Sequence, residues 1–355
     1  MMLAAALVLA APASWTLVLG GDLLLSGIRP GSEPLRPIRS LLSQADAAIA
    51  NLEVPLTKAA TRTTLKTKEE LQARTQFILK ADPSHARHLA EVGIDALSLA
   101  TNHQMDFGPQ GLRECLNSLN RAGLLHCGAG EDLARAFAPV RVPLPSGRAL
   151  ALASVLSFVG DRANRKAAPA GPRTPGVASW MFGGVVGDRA RERIRQTVEA
   201  CRKAAPFVVL AIHTGLEKHE MPTAYQVSLA RACVEEGADL VVMHHPHVVQ
   251  PAELYRGRPI LYSVGNLVSP LPGSTALFHL RFDEKGLLER FAITPCRISA
   301  GRVAPMRADD ARKAAARFDA LCREFAEKHP HRDSVPLSSR FEPRRGASAI
   351  LRHAS

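Results

Sequence analysis

Aromatic residues are scarce in this chain: 5% of 355 positions, with two Trp and three Tyr. So thin a supply argues against a surface built to stack on bases. No clustered Lys/Arg motif compensates, so a nucleic-acid partner is disfavoured. The six cysteines, Cys115, Cys127, Cys201, Cys233, Cys296 and Cys322, contain no Cys-x-x-Cys pair. Their wide spacing excludes a zinc knuckle and a disulfide-dense scaffold, which leaves buried thiols. Long apolar runs are also missing. Residues 3–10 form one, but it is far short of the roughly 20 residues that span a bilayer.

The same N-terminal stretch is compatible with a secretory leader, because Ala11-Pro12-Ala13 resembles a small-residue cleavage site. The absence of a basic segment before it favours the opposite reading, and the sequence leaves export and a cytoplasmic location both open. What is abundant is apolar content, 46%, enough for a sizeable core, and positive charge, +12 from 45 Lys+Arg against 33 Asp+Glu. That surplus suits an anionic substrate or polymer, although simply solvated basic residues explain it equally well.

Six short runs rich in Val, Ile, Leu and Ala read as strands buried on both faces: 16–22, 46–53, 95–103, 207–215, 239–247 and 259–266. Helical patterns alternate with them at 81–92, 109–122, 188–204 and 222–236. This alternation predicts an α/β chain. A strand pair comes next at 276–282 and 288–295, then an amphipathic helix at 309–328. The segments divide into an N-terminal apolar stretch (1–14), a main domain (15–300) and a C-terminal helix with a basic tail (301–355). The tail is expected to be a solvated appendage. Loops at 57–75 and 160–176 are candidates to border a pocket.

The residues suited to chemistry sit at the strand ends. Asp22 ends the first, Asn51 and Glu53 the second, Asn102 and His103 the third. His213 ends the fourth, His245 and His247 the fifth, and Gly265-Asn266 the sixth. Ligands of α/β sheets bind beyond the carboxyl ends of strands. Imidazole, carboxylate and amide oxygen together suit zinc, manganese or iron rather than a thiolate site. Taken singly, each residue has a plainer reading: Asp22 a turn residue, Asn102 a helix cap, His213 a hydrogen-bonded core histidine. Five successive strand ends carrying such donors favour a metal site. In His-x-His at 245 and 247, alternate residues of an extended chain would face the same way, with His244 turned to the other side.

The order GD, NLEVPLT, LATNHQMDFG, IHTGLE and GADLVVMHHPHVVQPAELYRGRPILYSVGNLV resembles the poly-gamma-glutamate capsule biosynthesis (CapA) family of calcineurin-like metallophosphoesterases, over roughly residues 16 to 298. The resemblance implies a four-layer α/β/β/α sandwich of the metallo-dependent phosphatase type and a two-metal site. Asp22 and His247 would serve the first metal. Glu53 would bridge, with Asn51 the less favoured choice. Asn102, His213 and His245 would hold the second metal, and His103 would act as general acid. Glu217 would stand at the rim, and Asp106, His244 and Asn266 would support the ligands. Leu24 departs from the broader superfamily, standing where a first-motif histidine is usual, and Thr214 and Met243 also differ. The implied function is metal-dependent hydrolysis of an anionic substrate in cell-envelope polymer synthesis. The alternative is a non-catalytic, polymer-binding component beside membrane-associated capsule synthesis proteins.

Overall fold

The computed structural model describes residues 14–145 and 147–342. The proposed leader at 1–13 and the last tail residues, 343–355, lie outside that range.

Two sheets pack face to face. The first has the order β16 (Arg302–Pro305), β15 (Leu288–Ser299), β14 (Gly273–Phe282), β1 (Trp15–Leu23), β2 (Ala47–Leu52), β3 (Ala96–Ser98), β4 (Leu125–Cys127). β13 (Asn266–Val268) pairs with β1, and β18 (Arg340–Phe341) with β15. The second runs β17 (Ser334–Pro336), β11 (Ala252–Tyr255), β12 (Arg258–Leu261), β10 (Leu240–His244), β9 (Phe207–His213), β7 (Ala149–Leu156), β6 (Val140–Pro143). β5 (Ala129–Gly130) and β8 (Gly176–Val177) form a small separate ribbon.

The helices are α1 (Arg39–Ser43), α2 (Lys68–Gln72), α3 (His85–Glu91), α4 (Gly108–Arg121), α5 (Leu133–Phe137), α6 (Asp161–Lys166), α7 (Asp188–Ala204), α8 (Ala224–Glu235) and α9 (Ala308–Lys328).

Period-two alternation of apolar residues separates three cores. Leu17, Leu19, Ala47 and Ile49 face Leu150, Leu152, Val209, Ala211 and Val242 between the sheets. The opposite face of the first sheet, Val18, Ala48 and Ala50, meets Leu42 of α1, Leu89 of α3 and Leu112 and Leu119 of α4. That of the second, Val208, Leu210, Val241 and Met243, meets Ile194 and Val198 of α7 and Leu229 and Cys233 of α8. Three cores imply four layers, so the architecture is the α/β/β/α sandwich expected.

Several local expectations are corrected. The third strand stops at Ser98, leaving Asn102 and His103 in a loop. Asn102 caps nothing, because α4 begins at Gly108. Helix 81–92 starts only at His85, because Asp82 turns back to accept a 2.9 Å hydrogen bond from the Ser84 N–H. The sixth run is two strands in different sheets, β12 and β13. The chain crosses between sheets there, and Asn266 opens a strand rather than closing one. An additional strand, β7, is buried at every position.

The C-terminal stretch is not an appendage as far as residue 342. Phe318 and Cys322 of α9 enter the core between the sheets, and Phe325 enters the helix-side core. β16 and β18 extend the first sheet and β17 the second. An apolar helix stripe of this kind requires a sheet to cover it.

Candidate metal centre

The centre forms where the carboxyl ends of β1 and β2 face those of β9 and β10. Gly21 makes the approach possible. A Cβ there would lie 2.0 Å from the Gly265 carbonyl oxygen, so only glycine lets the chain entering β13 reach β1. Asp22 N–H then donates to Gly265 O at 2.9 Å, and Asn266 pairs in register with Asp22.

Asp22 is fully buried. Its Oδ1 accepts from Asn51 Nδ2 at 2.8 Å, and its Oδ2 accepts from the His245 backbone N–H at 3.2 Å. His247 Nδ1 lies 3.2 Å from Oδ2, and His244 Nδ1 3.3 Å from Oδ1. Burial alone would raise the Asp22 carboxyl, but the imidazoles of His244 and His247 outweigh it and hold the group well below its usual value.

Glu53 is also fully buried, yet neither carboxylate oxygen has a hydrogen-bond partner. His247 Nε2 stands 3.5 Å and His213 Nε2 4.0 Å from its Oε1, near it without a hydrogen bond. Burial pushes Glu53 up to about 8, with His247 opposing. His247 would be lowered by burial, but Glu53 and Asp22 raise it to about 10. His245 falls to about 3 through burial and the neighbouring His247, and His213 is held well below its usual value by burial and by His245.

His213 Nε2 also lies 2.9 Å from Asn102 Oδ1, and its Nδ1 3.4 Å from Asn51 Nδ2. Ser98 fixes Asn51 by donating to its Oδ1 at 2.7 Å. His247 Nδ1 lies 2.9 Å from Asn266 Oδ1.

The convergence of His245 and His247 does not come from a pleat. β10 ends at His244, and the two residues adopt φ of +100° and +59°. Non-glycine residues in that region are strained. Nor does His244 turn away: its ring faces Asp22 from the end of the strand.

His103 belongs to a second cluster. Its Nδ1 lies 2.7 Å from Asp106 Oδ2 and 3.1 Å from Lys66 Nζ. Lys66 is buried, pairs with Asp106 Oδ1 and donates to Phe77 O at 2.8 Å. Burial and then Lys66 lower His103, against Asp106. Sequence reasoning missed Lys66, because nothing distinguishes it from the other lysines of the 57–75 loop.

A cavity of about 420 Å³ adjoins the cluster. It is lined by Gln76, Asn102, Phe158, Lys166, Glu217 and His245, among others. Of the two loops expected to border a pocket, 160–176 does so through Ala163 and Lys166, whereas 57–75 contributes no lining residue and the wall there is Gln76, just beyond it. Phe158 packs against the His245 ring, 4.6 Å between centroids, and this contact was also missed. Glu217 is exposed and lines this cavity.

Glu53, His245 and His247 can each present one donor atom with all three within 4.8 Å of one another. Both Glu53 oxygens and Nδ1 of His245 are buried without a hydrogen-bond partner, whereas His244 Nδ1 faces Asp22 Oδ1. Such orphaned groups are costly unless something binds them. A divalent cation fits this donor set, and no sulfur competes within it.

The α/β/β/α sandwich thus gathers oxygen and nitrogen donors from both sheets at one rim. The chain belongs to the bacterial capsule synthesis protein family PGA_cap, whose sequence profile matches residues 16–271. It is 28% identical over 278 residues to the PGA biosynthesis protein CapA of Bacillus subtilis, covering 77% of this chain and 67% of that one. A probable polyglutamine synthesis accessory protein of Mycobacterium tuberculosis is 27% identical over 228 residues, 64% of this chain and 57% of the relative. The chain thus spans about two thirds or less of these relatives' lengths. Among solved structures, a purple acid phosphatase from yellow lupin aligns with 85% of this chain and 55% of its own at TM-score 0.37 and 11% identity.

Proposed function

We propose that the chain is a di-metal hydrolase of capsule-type polymer synthesis, acting on a phosphoester-like or other anionic substrate. Glu53 carries the reading: a fully buried carboxylate with two free oxygens, set among imidazoles. In this reading Asp22 and His247 would serve one ion, Asn102, His213 and His245 the other, and Glu53 would serve both. Two divalent ions held there, of manganese, zinc or iron, would supply Lewis-acid polarisation of a substrate oxygen and a more acidic water.

The chain's own residues orient the rest. Asp106 and Lys66 both engage His103 Nδ1 and fix the ring. Asp106 Oδ2, at 2.7 Å, can only accept, so Nδ1 carries a proton and donates to it, and a second proton on Nε2 would be the one that passes to a leaving oxygen. Phe158 covers His245 and excludes water from one side of the pocket. The family and the name of the Bacillus subtilis relative support polymer synthesis as the setting, with capsule synthesis proteins at the membrane as partners.

One observation favours a non-catalytic, polymer-gripping role instead. Leu24 packs into the helix-side core where the broader superfamily places a ligand, so the first group has one donor fewer. Turnover distinguishes the two. With Mn²⁺, the wild type should cleave a phosphodiester or a γ-glutamyl polymer, and His103→Gln should lower kcat by about 100-fold or more. Unchanged kcat in the variant removes His103 from the acid role. A metal-loaded wild type that turns over no substrate of either class favours the accessory reading.

A further inference from the structure

A second feature lies on the same rim of the sandwich as the metal centre. β14 runs antiparallel to β1, β15 to β14 and β16 to β15. The β15–β16 turn therefore falls at the end of the sheet where Asp22 sits. Three strand spacings separate β16 from β1, about 15 Å. A cavity of about 600 Å³ opens at this turn, lined by Arg29, Arg36 and Arg302 together with Pro270, four residues beyond Asn266. A further cavity of about 520 Å³ carries Arg297 and Arg307 and has Arg302 as a wall in common with the first.

The charge is unbalanced. Glu33 pairs with Arg36 at 2.8 Å and Asp310 with Arg297 at 3.1 Å. Among the described residues, Arg29, Arg302 and Arg307 make no ion pair. The walls are nevertheless built. Ser32 donates twice to the Arg29 carbonyl, from N at 3.1 Å and Oγ at 2.6 Å. Val303 N–H donates to Pro34 O at 3.1 Å. Gly301 has φ +73°, a backbone conformation that favours glycine, and Ile28 Cδ1 packs over its α-carbon, bringing the two loops together.

We propose that this arginine-lined cavity is a subsite for the carboxylates of a polyanionic chain, several residues away from the bond offered to the metal centre. A guanidinium presents a planar fork that matches a carboxylate. Arginines distributed over two neighbouring cavities suit repeated single charges better than one compact anion. The proposal rests on the anionic-polymer reading above but not on hydrolysis, so binding tests it without turnover.

The probe is end-labelled poly-glutamate, long (about 20 residues, well beyond the four or five that span about 15 Å at roughly 3.4 Å each) and short (three residues), followed by fluorescence anisotropy. The long chain should bind wild type far better than the short one, and more weakly as salt rises. Arg29→Gln/Arg302→Gln should weaken long-chain binding at least tenfold while leaving the short chain and small-phosphodiester kcat/KM unchanged. His103→Gln should bind the long chain like wild type. Unchanged long-chain binding in the arginine variant overturns the subsite. Inorganic polyphosphate that displaces the long chain tenfold more readily than unlabelled poly-glutamate overturns the carboxylate assignment. A wild type that cleaves a phosphodiester but binds no long chain overturns the subsite and leaves the hydrolase standing.

Discussion

His245 and His247 reach the centre through two left-handed backbone positions, not through strand alternation. The sequence shows that both are donors, but their side-by-side placement depends on a turn that no periodicity reveals. Their protonation differs as well. His245 and His213 are held neutral by burial and neighbouring imidazoles, so their lone pairs are ready for a cation. Glu53 and His247 are both raised as a tightly coupled pair, which together holds protons near neutral pH when no metal is bound. Those protons must leave before either group can ligate. Apparent metal affinity should therefore rise with pH between about 6 and 9, close to tenfold per unit for each proton displaced. Competition with a chelator of known pH dependence measures this, and a flat profile would contradict the assignment of these two groups.

At the scale of elements, the 57–80 segment depends on one buried lysine. Lys66 reaches inward to Asp106, His103 and the Phe77 carbonyl, and Asp106 Oδ2 accepts from Leu79 N–H at 2.8 Å. Removing the lysine strands a buried carboxylate. Lys66→Met should cost about 3–5 kcal/mol in urea unfolding, and adding Asp106→Asn should recover part of it. A loss below about 1 kcal/mol would mean that the pair is hydrated and the segment is held otherwise. Such long-range pairing is invisible in the sequence, where Lys66 sits among other polar loop residues. The strands around the site were legible because a fully buried strand must be continuously apolar and stop abruptly at its polar ligands. β7 was not, because its Ala- and Leu-rich run serves a helix as readily as a strand. The split between β12 and β13 escaped for another reason: a crossover between sheets looks like one interrupted strand.

Across the whole molecule, four layers bring ligands from both sheets to one end, and the C-terminal segment locks those sheets together. Arg231 of α8 makes a bidentate pair with Glu253 of β11 at 3.0 and 2.9 Å and donates to the His329 carbonyl just beyond α9 at 3.1 Å. The amphipathic pattern of α9 was readable. Where its apolar face would dock was not, because only the assembled sheets provide that surface. The same holds for the centre itself: its donor types could be read one by one, whereas the isolation of Glu53 among imidazoles arises only on assembly. The central claim is that these strand ends bind divalent metal. Metal stoichiometry by elemental analysis tests it most directly, after loading with Mn²⁺ and desalting, in wild type and in the His245→Ala/Asn102→Ala variant with folding checked by circular dichroism. The account predicts up to about two equivalents in wild type and a clear loss in the folded variant. Equal metal content in the two proteins, or none in a folded wild type, would contradict it.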